Sequence, residues 1–139
     1  QRWSLAERTF QRALGLDDSY AKAHLALGNA FAAQDLLADA IQTYKAAIAA
    51  DADLRDAYYG LGKAYARREA FEPAVAQFEA ALERDSTYAR AHFALGNLHE
   101  QRGTPEEARG AYAAFLRHWQ GDEEMAATVH DRISQLRSE

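Results

Sequence analysis

The fold is decided by residues 55–88, which read RDAYYGLGKAYARREAFEPAVAQFEAALERDSTY. Residues 21–54 and 89–122 repeat this pattern at a distance of 34 residues on either side. A period of this length is typical of stacked helical units, none of which can bury its apolar face alone. The recurring positions hold a leucine followed by glycine, then alanine, an aromatic residue, a second alanine and an aspartate: Leu27, Leu61 and Leu95; Gly28, Gly62 and Gly96; Ala40, Ala74 and Ala108, with Ala6 one period earlier; Phe10, Tyr44, Phe78 and Tyr112; Ala13, Ala47 and Ala81; Asp17, Asp51 and Asp85.

Each repeat contains two runs of apolar residues at helical spacing, separated by a short break. This pattern predicts two amphipathic helices joined by a tight turn. The repeated glycine falls inside the first helix, where it costs about 0.5–1 kcal/mol relative to alanine. We therefore expect the second helix to approach closely there, through its repeated small alanine. In the third repeat, Thr104-Pro105-Glu106-Glu107 predicts an N-cap threonine, a proline at the first helical position and a capping-box glutamate.

The leucine–glycine pair, the aromatic three residues later and the alanine–aromatic–alanine run together resemble the tetratricopeptide repeat. Three complete units match, at residues 21–54, 55–88 and 89–122. Residues 1–20 match the second helix of a partial repeat, and residues 123–139 resemble a capping helix. The resemblance implies one all-α domain over 1–139, an α-solenoid of helix–turn–helix repeats wound as a right-handed superhelix. The sequence departs from the family pattern in two places. The turn glycine is present only as Gly103, and the other two copies have Asp35 and Glu69 there. The aromatic residue seen at Tyr58 is replaced by His24 and His92 in the other copies.

The two ends of the chain differ in their patterning. An apolar stripe near the C-terminus, Met125, Val129, Ile133 and Leu136, has a polar opposite face and predicts a helix that closes the stack. Near the N-terminus, Trp3 and Phe10 belong to a second helix without its first partner. Since the chain starts at Gln1 without a methionine, we favour the interpretation that upstream repeats have been removed. The alternative is self-association through Trp3 and Phe10.

In this family the first helices of successive units line a concave groove that holds ligands. Counting from the repeated glycines gives the outward residues of each first helix: Lys22, Leu25 and Asn29; Asp56, Tyr59, Lys63 and Arg67; Arg90, Phe93, Asn97 and Gln101. Cations outnumber the single acid, and Leu25, Tyr59 and Phe93 form an apolar series where solvent would otherwise lie. The set predicts a site for a protein or peptide with acidic and apolar residues.

Two specialised binding modes of the family are not expected. Asn29 and Arg90 match places of the clamp that holds a peptide's terminal carboxylate in co-chaperone repeats, but Leu25, Gly60 and Ala94 replace its other polar members. The asparagine ladder of glycosyltransferase-associated repeats is absent, because Ala26, Gly60 and Ala94 stand at its places.

Composition narrows the remaining functions. The chain has no cysteine, so disulfides and thiolate metal sites are excluded. A cysteine-free chain is compatible with both the cytoplasm and the periplasm, and we favour the cytoplasm. A net charge of −5 argues against nucleic-acid binding, and no apolar run is long enough for membrane insertion. The five histidines lack metal-ligand spacing, and no nucleophile has a base and orienting partner in sequence. We expect no cofactor, no metal and no catalysis.

The sequence therefore predicts a non-catalytic scaffold that binds a partner segment in its groove. Two alternatives stay open: a homo-oligomeric scaffold assembled through the open N-terminal helix, and the substrate-recruiting region of a larger enzyme.

Overall fold

Seven helices make up the part of the chain that the computed structural model describes, residues 14–137. They are α1 (Leu14–Ala33), α2 (Leu37–Ala50), α3 (Arg55–Arg67), α4 (Phe71–Arg84), α5 (Ala89–Gln101), α6 (Pro105–His118) and α7 (Glu123–Arg137). No strand occurs within these residues. The predicted all-α class is confirmed.

The helices pack as successive hairpins, α1 with α2, α3 with α4, and α5 with α6. Each second helix also packs on the next first helix, and the first helices contact one another, α1 with α3 and α3 with α5. Helix α7 covers the last hairpin by packing on α6, with Val129 and Leu136 buried. The predicted closing helix is thereby confirmed, and this arrangement leaves one continuous surface formed by first helices.

The core is built from the repeated positions. Ala40, Ala74 and Ala108 are 0% exposed, as close helix packing requires. The immediate partner of the repeated glycine, however, is the aromatic ring of the second helix rather than the alanine. A Cβ at Gly62 would lie 2.8 Å from Cδ1 of Phe78, and one at Gly28 would lie 2.8 Å from Cδ1 of Tyr44. The repeated glycine therefore provides space for an aromatic ring.

Two kinds of turn connect the helices. Within each hairpin the chain turns through a residue with positive φ, 63° at Asp35, 61° at Glu69 and 75° at Gly103. The N–H of the next residue donates a hydrogen bond to a carbonyl in the last turn of the helix, as Leu36 N–H does to the Phe31 carbonyl at 2.9 Å. This hydrogen bond is characteristic of the Schellman motif that ends a helix. Between hairpins the repeated aspartate forms the turn, because Asp51 Oδ1 accepts from Asp53 N–H at 3.0 Å. Asp85 Oδ1 accepts from Thr87 N–H in the same way.

Helix α1 departs from the repeat pattern. The predicted boundary after residue 20 falls inside this helix, and Asp17 lies within it instead of forming a turn. Residues 17–20 contain neither proline nor glycine, so nothing in their backbone chemistry interrupts the helix. His24 shows the consequence, since its Nδ1 lies 3.1 Å from the carbonyl of Tyr20 within the same helix. The assignment of residues 1–20 to a partial repeat stays a prediction, because residues 1–13 lie outside the described part.

Two expectations about individual side chains are wrong. Leu27 is 47% exposed, whereas its equivalents Leu61 and Leu95 are 2% and 7% exposed beneath the preceding second helix. Thr104 is the N-cap of α6 and Pro105 opens the helix as predicted, but no capping hydrogen bond forms. The Thr104 hydroxyl donates to the His99 carbonyl at 2.9 Å instead, because the Schellman turn brings that carbonyl within reach.

Candidate partner-binding groove

The surface formed by the first helices contains two adjoining clefts, which we call together the groove. The first, of about 470 Å³, lies between α1 and α3 and reaches Arg90 at the start of α5. The second, of about 330 Å³, lies between α3 and α5. Tyr59, Lys63 and Arg67 line both clefts, so α3 forms the centre of the groove. Of the residues predicted for this site, the clefts bring together Leu25, Asn29, Asp56, Tyr59, Lys63, Arg67, Arg90, Phe93, Asn97 and Gln101. Lys22 is exposed and lines neither cleft.

The apolar series of the groove is half-buried. The Tyr59 ring lies 5.9 Å from that of Phe78 and 5.4 Å from that of Tyr88, measured between ring centroids. Phe93 lies in the same way between Tyr112 and Phe115. Leu25 packs on the core cluster beneath α1. Each of these residues therefore anchors the groove floor to the core and remains partly exposed.

The amides of the groove hold the second helices in place. Asn29 Oδ1 accepts a hydrogen bond from the Tyr44 hydroxyl at 2.6 Å, and Asn97 Oδ1 accepts from the Tyr112 hydroxyl at 2.7 Å. The middle repeat has Phe78 at the equivalent aromatic position, where no hydroxyl needs a partner, and Lys63 at the position of the asparagines. The sequence shows the same coincidence of asparagine with tyrosine and of lysine with phenylalanine when the three repeats are aligned.

Two of the groove's charged residues are occupied by the protein itself. Arg67 donates to the Ala32 carbonyl at 2.9 Å and to Asp35, which ties α3 to the turn after α1. Asp56 Oδ1 accepts from the Tyr88 hydroxyl at 2.7 Å. Burial and this bond to the carboxylate both raise the pKa of Tyr88, so the hydroxyl remains protonated and donating at neutral pH.

Lys63 and Arg90 remain without an ion pair among residues 14–137. Lys63 Nζ lies 5.0 Å from the centroid of the Tyr59 ring, a cation–π contact. Arg90 lies close enough to Tyr59 to lower the pKa of that hydroxyl, although burial is the larger effect and leaves it raised. The centre of the groove thus combines one half-buried aromatic ring with two cations that have no ion pair within the described residues.

The histidines do not form a metal cluster within the described residues. The structure does bring together two that sequence reasoning kept apart: the rings of His92 and His118 stack with centroids 5.7 Å apart. His92 Nε2 also donates to the Ser86 carbonyl at 3.0 Å, as the Tyr58 hydroxyl does to Ala52 one repeat earlier. None of the helices within residues 14–137 is long and apolar enough to cross a bilayer.

Comparison with known proteins agrees with this architecture. A family model for the tetratricopeptide repeat matches residues 1–55 and 59–123. No curated protein matches the sequence.

Similar solved structures include the first repeat domain of Spaghetti (RPAP3) bound to the HSP90 peptide SRMEEVD, at TM-score 0.78 and 22% identity over 88% of this chain and 96% of that one. The Yersinia enterocolitica type III secretion chaperone SycD, in complex with a peptide of the translocator YopD, is similar at TM-score 0.78 and 15% identity over 84% and 91%. The Arabidopsis OM64 repeat domain is similar at TM-score 0.78 and 18% identity over 86% and 98%. At these identities the likeness is one of fold.

Proposed function

The chain belongs to the tetratricopeptide repeat family, and we propose that it is an interaction scaffold that binds an extended segment of a partner protein in the groove. The observation that carries this proposal is that the half-buried Tyr59 lines the groove centre together with Lys63 and Arg90, two cations without an ion pair in the part of the chain that the structure describes. This role needs no catalytic group. If the chain served as the substrate-recruiting region of a larger enzyme, the same groove would provide the contact.

The chemistry of the groove selects the partner segment. Tyr59 and Phe93 present aromatic faces that favour apolar side chains, and each is held rigidly by neighbouring rings. Lys63 and Arg90 favour carboxylates, since a charge-assisted hydrogen bond in a partly enclosed cleft is stronger than a neutral one. A segment with acidic residues beside apolar ones satisfies both. The HSP90 peptide bound to the RPAP3 repeat domain has this composition, with two glutamates and an aspartate near methionine and valine.

The groove is best tested through its cations. Replacing Tyr59 would disturb the packing of Phe78 and Tyr88, whereas Lys63→Glu and Arg90→Glu remove no ion pair among the described residues. Peptides would be selected from a displayed random library, and their affinity measured by fluorescence anisotropy. We expect each groove variant to weaken binding about tenfold or more, because it replaces an attractive charge by a repulsive one.

Matched controls lie elsewhere on the molecule. Lys45→Glu on α2 and Arg68→Glu at the end of α3 make the same charge changes at exposed residues that do not line the groove. They should change the affinity less than about twofold, since a long-range charge effect is screened at physiological ionic strength. Equal losses in groove and control variants would show that net charge alone attracts the peptides and would reject the groove as the site.

A second candidate function, self-association through α1, is favoured by one observation. Tyr20 and Leu27 are 56% and 47% exposed, while their equivalents Tyr88 and Leu95 are 9% and 7% exposed. A second copy that covers this face would bury both side chains. Trp3 and Phe10, predicted for the same role, lie outside the described residues. Sedimentation of the parent and a Leu27→Glu variant over a range of concentrations tests the idea: a dimer that Leu27→Glu dissociates supports it, and a monomer at every concentration rejects it.

A further inference from the structure

A third cleft, of about 630 Å³, adjoins the groove where α3 and α5 begin and α6 ends. Its walls include Arg55, Arg90, Arg117 and His118, with Tyr88 and Trp119, and we call it the arginine cleft. It shares Asp56, Tyr88 and Arg90 with the groove, whereas Arg117 and His118 line the arginine cleft alone. A chain that passes Arg90 therefore leaves the groove and enters this space.

The charges of the arginine cleft are not balanced. Arg55 forms an ion pair with Asp85 and lies 4.3 Å from the centroid of the Tyr88 ring. The carboxylate of Asp56, which also lines the cleft, is engaged by the Tyr88 hydroxyl and lies 3.7 Å from Arg55 Nε. Arg90 and Arg117 have no ion pair within residues 14–137. Two arginines without an ion pair among the described residues thus line one concavity in a protein whose net charge is −5.

The two aromatic side chains of the cleft are fixed by contacts within the protein. Tyr88 is held by its hydrogen bond to Asp56 and by its edge contact with Tyr59. Trp119 stacks on Phe115 with ring centroids 4.9 Å apart, and its Nε1 donates to the Asp122 carbonyl at 2.9 Å. A ligand would not have to order these side chains, which lowers the entropic cost of binding. The volume also falls in the range of small-ligand sites.

We propose that the arginine cleft binds an oxyanion, the carboxylate or phosphoryl group of an acidic or phosphorylated residue, through Arg90 and Arg117. Guanidinium is planar and permanently charged, and its parallel N–H groups match the two oxygens of either anion. The inference rests on the proposed function for the source of the oxyanion, which is the partner segment in the adjoining groove. Anion binding itself depends only on the residues of the arginine cleft, so a free anion is enough to test it.

The experiment is an NMR titration of the protein with inorganic phosphate and, in a second arm, with acetate. Both run at about pH 7.5, where the imidazole of an unperturbed histidine is mostly neutral, and at constant ionic strength maintained with sodium chloride. Saturable shifts confined to residues 87–90 and 117–120 are expected. Saturation by phosphate alone supports the proposal and assigns a phosphoryl group, whereas saturation by acetate as well supports it and extends the site to carboxylates.

The variant Arg117→Gln should weaken the anion about tenfold or more, because it removes one of two charged donors. Arg68→Gln removes an equal charge at the opposite end of α3 and should leave the affinity within about twofold. Shifts that do not saturate, or that weaken equally in both variants, would overturn the proposal as general charge screening. Phosphate binding without any peptide affinity would reject the groove and leave the arginine cleft supported, and the reverse result would reject the arginine cleft alone.

Discussion

The stability of the variant Gly62→Ala tests how tightly the Phe78 ring is packed against the repeated glycine. In Gly62→Ala the new Cβ would lie 2.8 Å from both Cδ1 and Cε1 of Phe78 and 3.1 Å from its Cζ. The ring cannot swing aside, because Phe78 is 1% exposed within the core formed with Leu95 and Leu98. Overpacking of this kind costs roughly 1–3 kcal/mol, and the better helix propensity of alanine returns about 0.5–1 kcal/mol. We expect a net loss of roughly 0–2.5 kcal/mol in the free energy of unfolding.

Gly110→Ala provides the matched control for this substitution. Gly110 also lies inside a helix, α6, but a Cβ there would meet no atom within 4 Å. Only the propensity gain remains, so this variant should stabilise the protein by about 0.5–1 kcal/mol. Urea unfolding followed by circular dichroism gives both free energies. If Gly62→Ala stabilised the protein as much as Gly110→Ala, the glycine would not be reserved for the Phe78 ring and the packing argument would be refuted.

Three further predictions concern a turn, a histidine pair and the groove. Glu69 has a positive φ of 61°, which glycine adopts without strain, so Glu69→Gly should raise the free energy of unfolding by about 1 kcal/mol. Gly103→Ala should lower it by a similar amount for the same reason. If urea unfolding showed the opposite sign for either variant, the backbone strain would be contradicted. Burial lowers the pKa of His92, and the nearby His118 and Arg117 lower it further against the raising effect of the Ser86 carbonyl. Since the unfolded chain then binds a proton more readily, stability should be constant above the unfolded pKa of about 6.5 and fall as pH decreases below it. His92→Tyr should abolish that slope in thermal unfolding between about pH 7.5 and pH 5.5, and His130→Gln, on the exposed face of α7, should retain it. The double variant Lys63→Asn/Phe78→Tyr recreates the hydrogen bond of the flanking repeats and should retain stability to within about 1 kcal/mol, yet bind selected peptides about tenfold more weakly; unchanged affinity in fluorescence anisotropy would remove Lys63 from the binding site.

Periodicity accounts for most of the fold. The 34-residue repeat indicated which residues are buried, and Leu61, Phe78 and Ala81 occupy the core as their positions predict. Leu27 is the exception, because a repeat position is buried when a preceding helix covers it and no helix precedes α1 within residues 14–137. The turn that the repeat pattern indicates at Asp17 is also missing. An aspartate favours a turn but does not impose one, so the local pattern Asp-Asp-Ser-Tyr remains helical within α1.

The groove was predicted less completely than the fold. Helical geometry identified which residues face the groove, and all but Lys22 of the predicted set line its clefts. It could not tell which of them are already engaged, because hydrogen bonds such as Tyr44 to Asn29 and Tyr88 to Asp56 join residues from different helices. The interval of 15 or 32 residues between these partners corresponds to no helical spacing. Only a comparison of the repeats with one another carries that information.

That comparison separates residues needed for packing from residues available for binding. Where the second helix carries tyrosine, the facing first helix carries asparagine, whose Oδ1 accepts a hydrogen bond from the tyrosine hydroxyl. The middle repeat has Phe78 instead, which is buried without needing a polar partner, so packing places no demand on Lys63. Lys63 nevertheless lies over the ring of Tyr59 and lines both clefts. Lys63, in the repeat that departs from its neighbours, is therefore the charged residue of α3 without an ion pair among residues 14–137, and for that reason we propose that binding centres on α3.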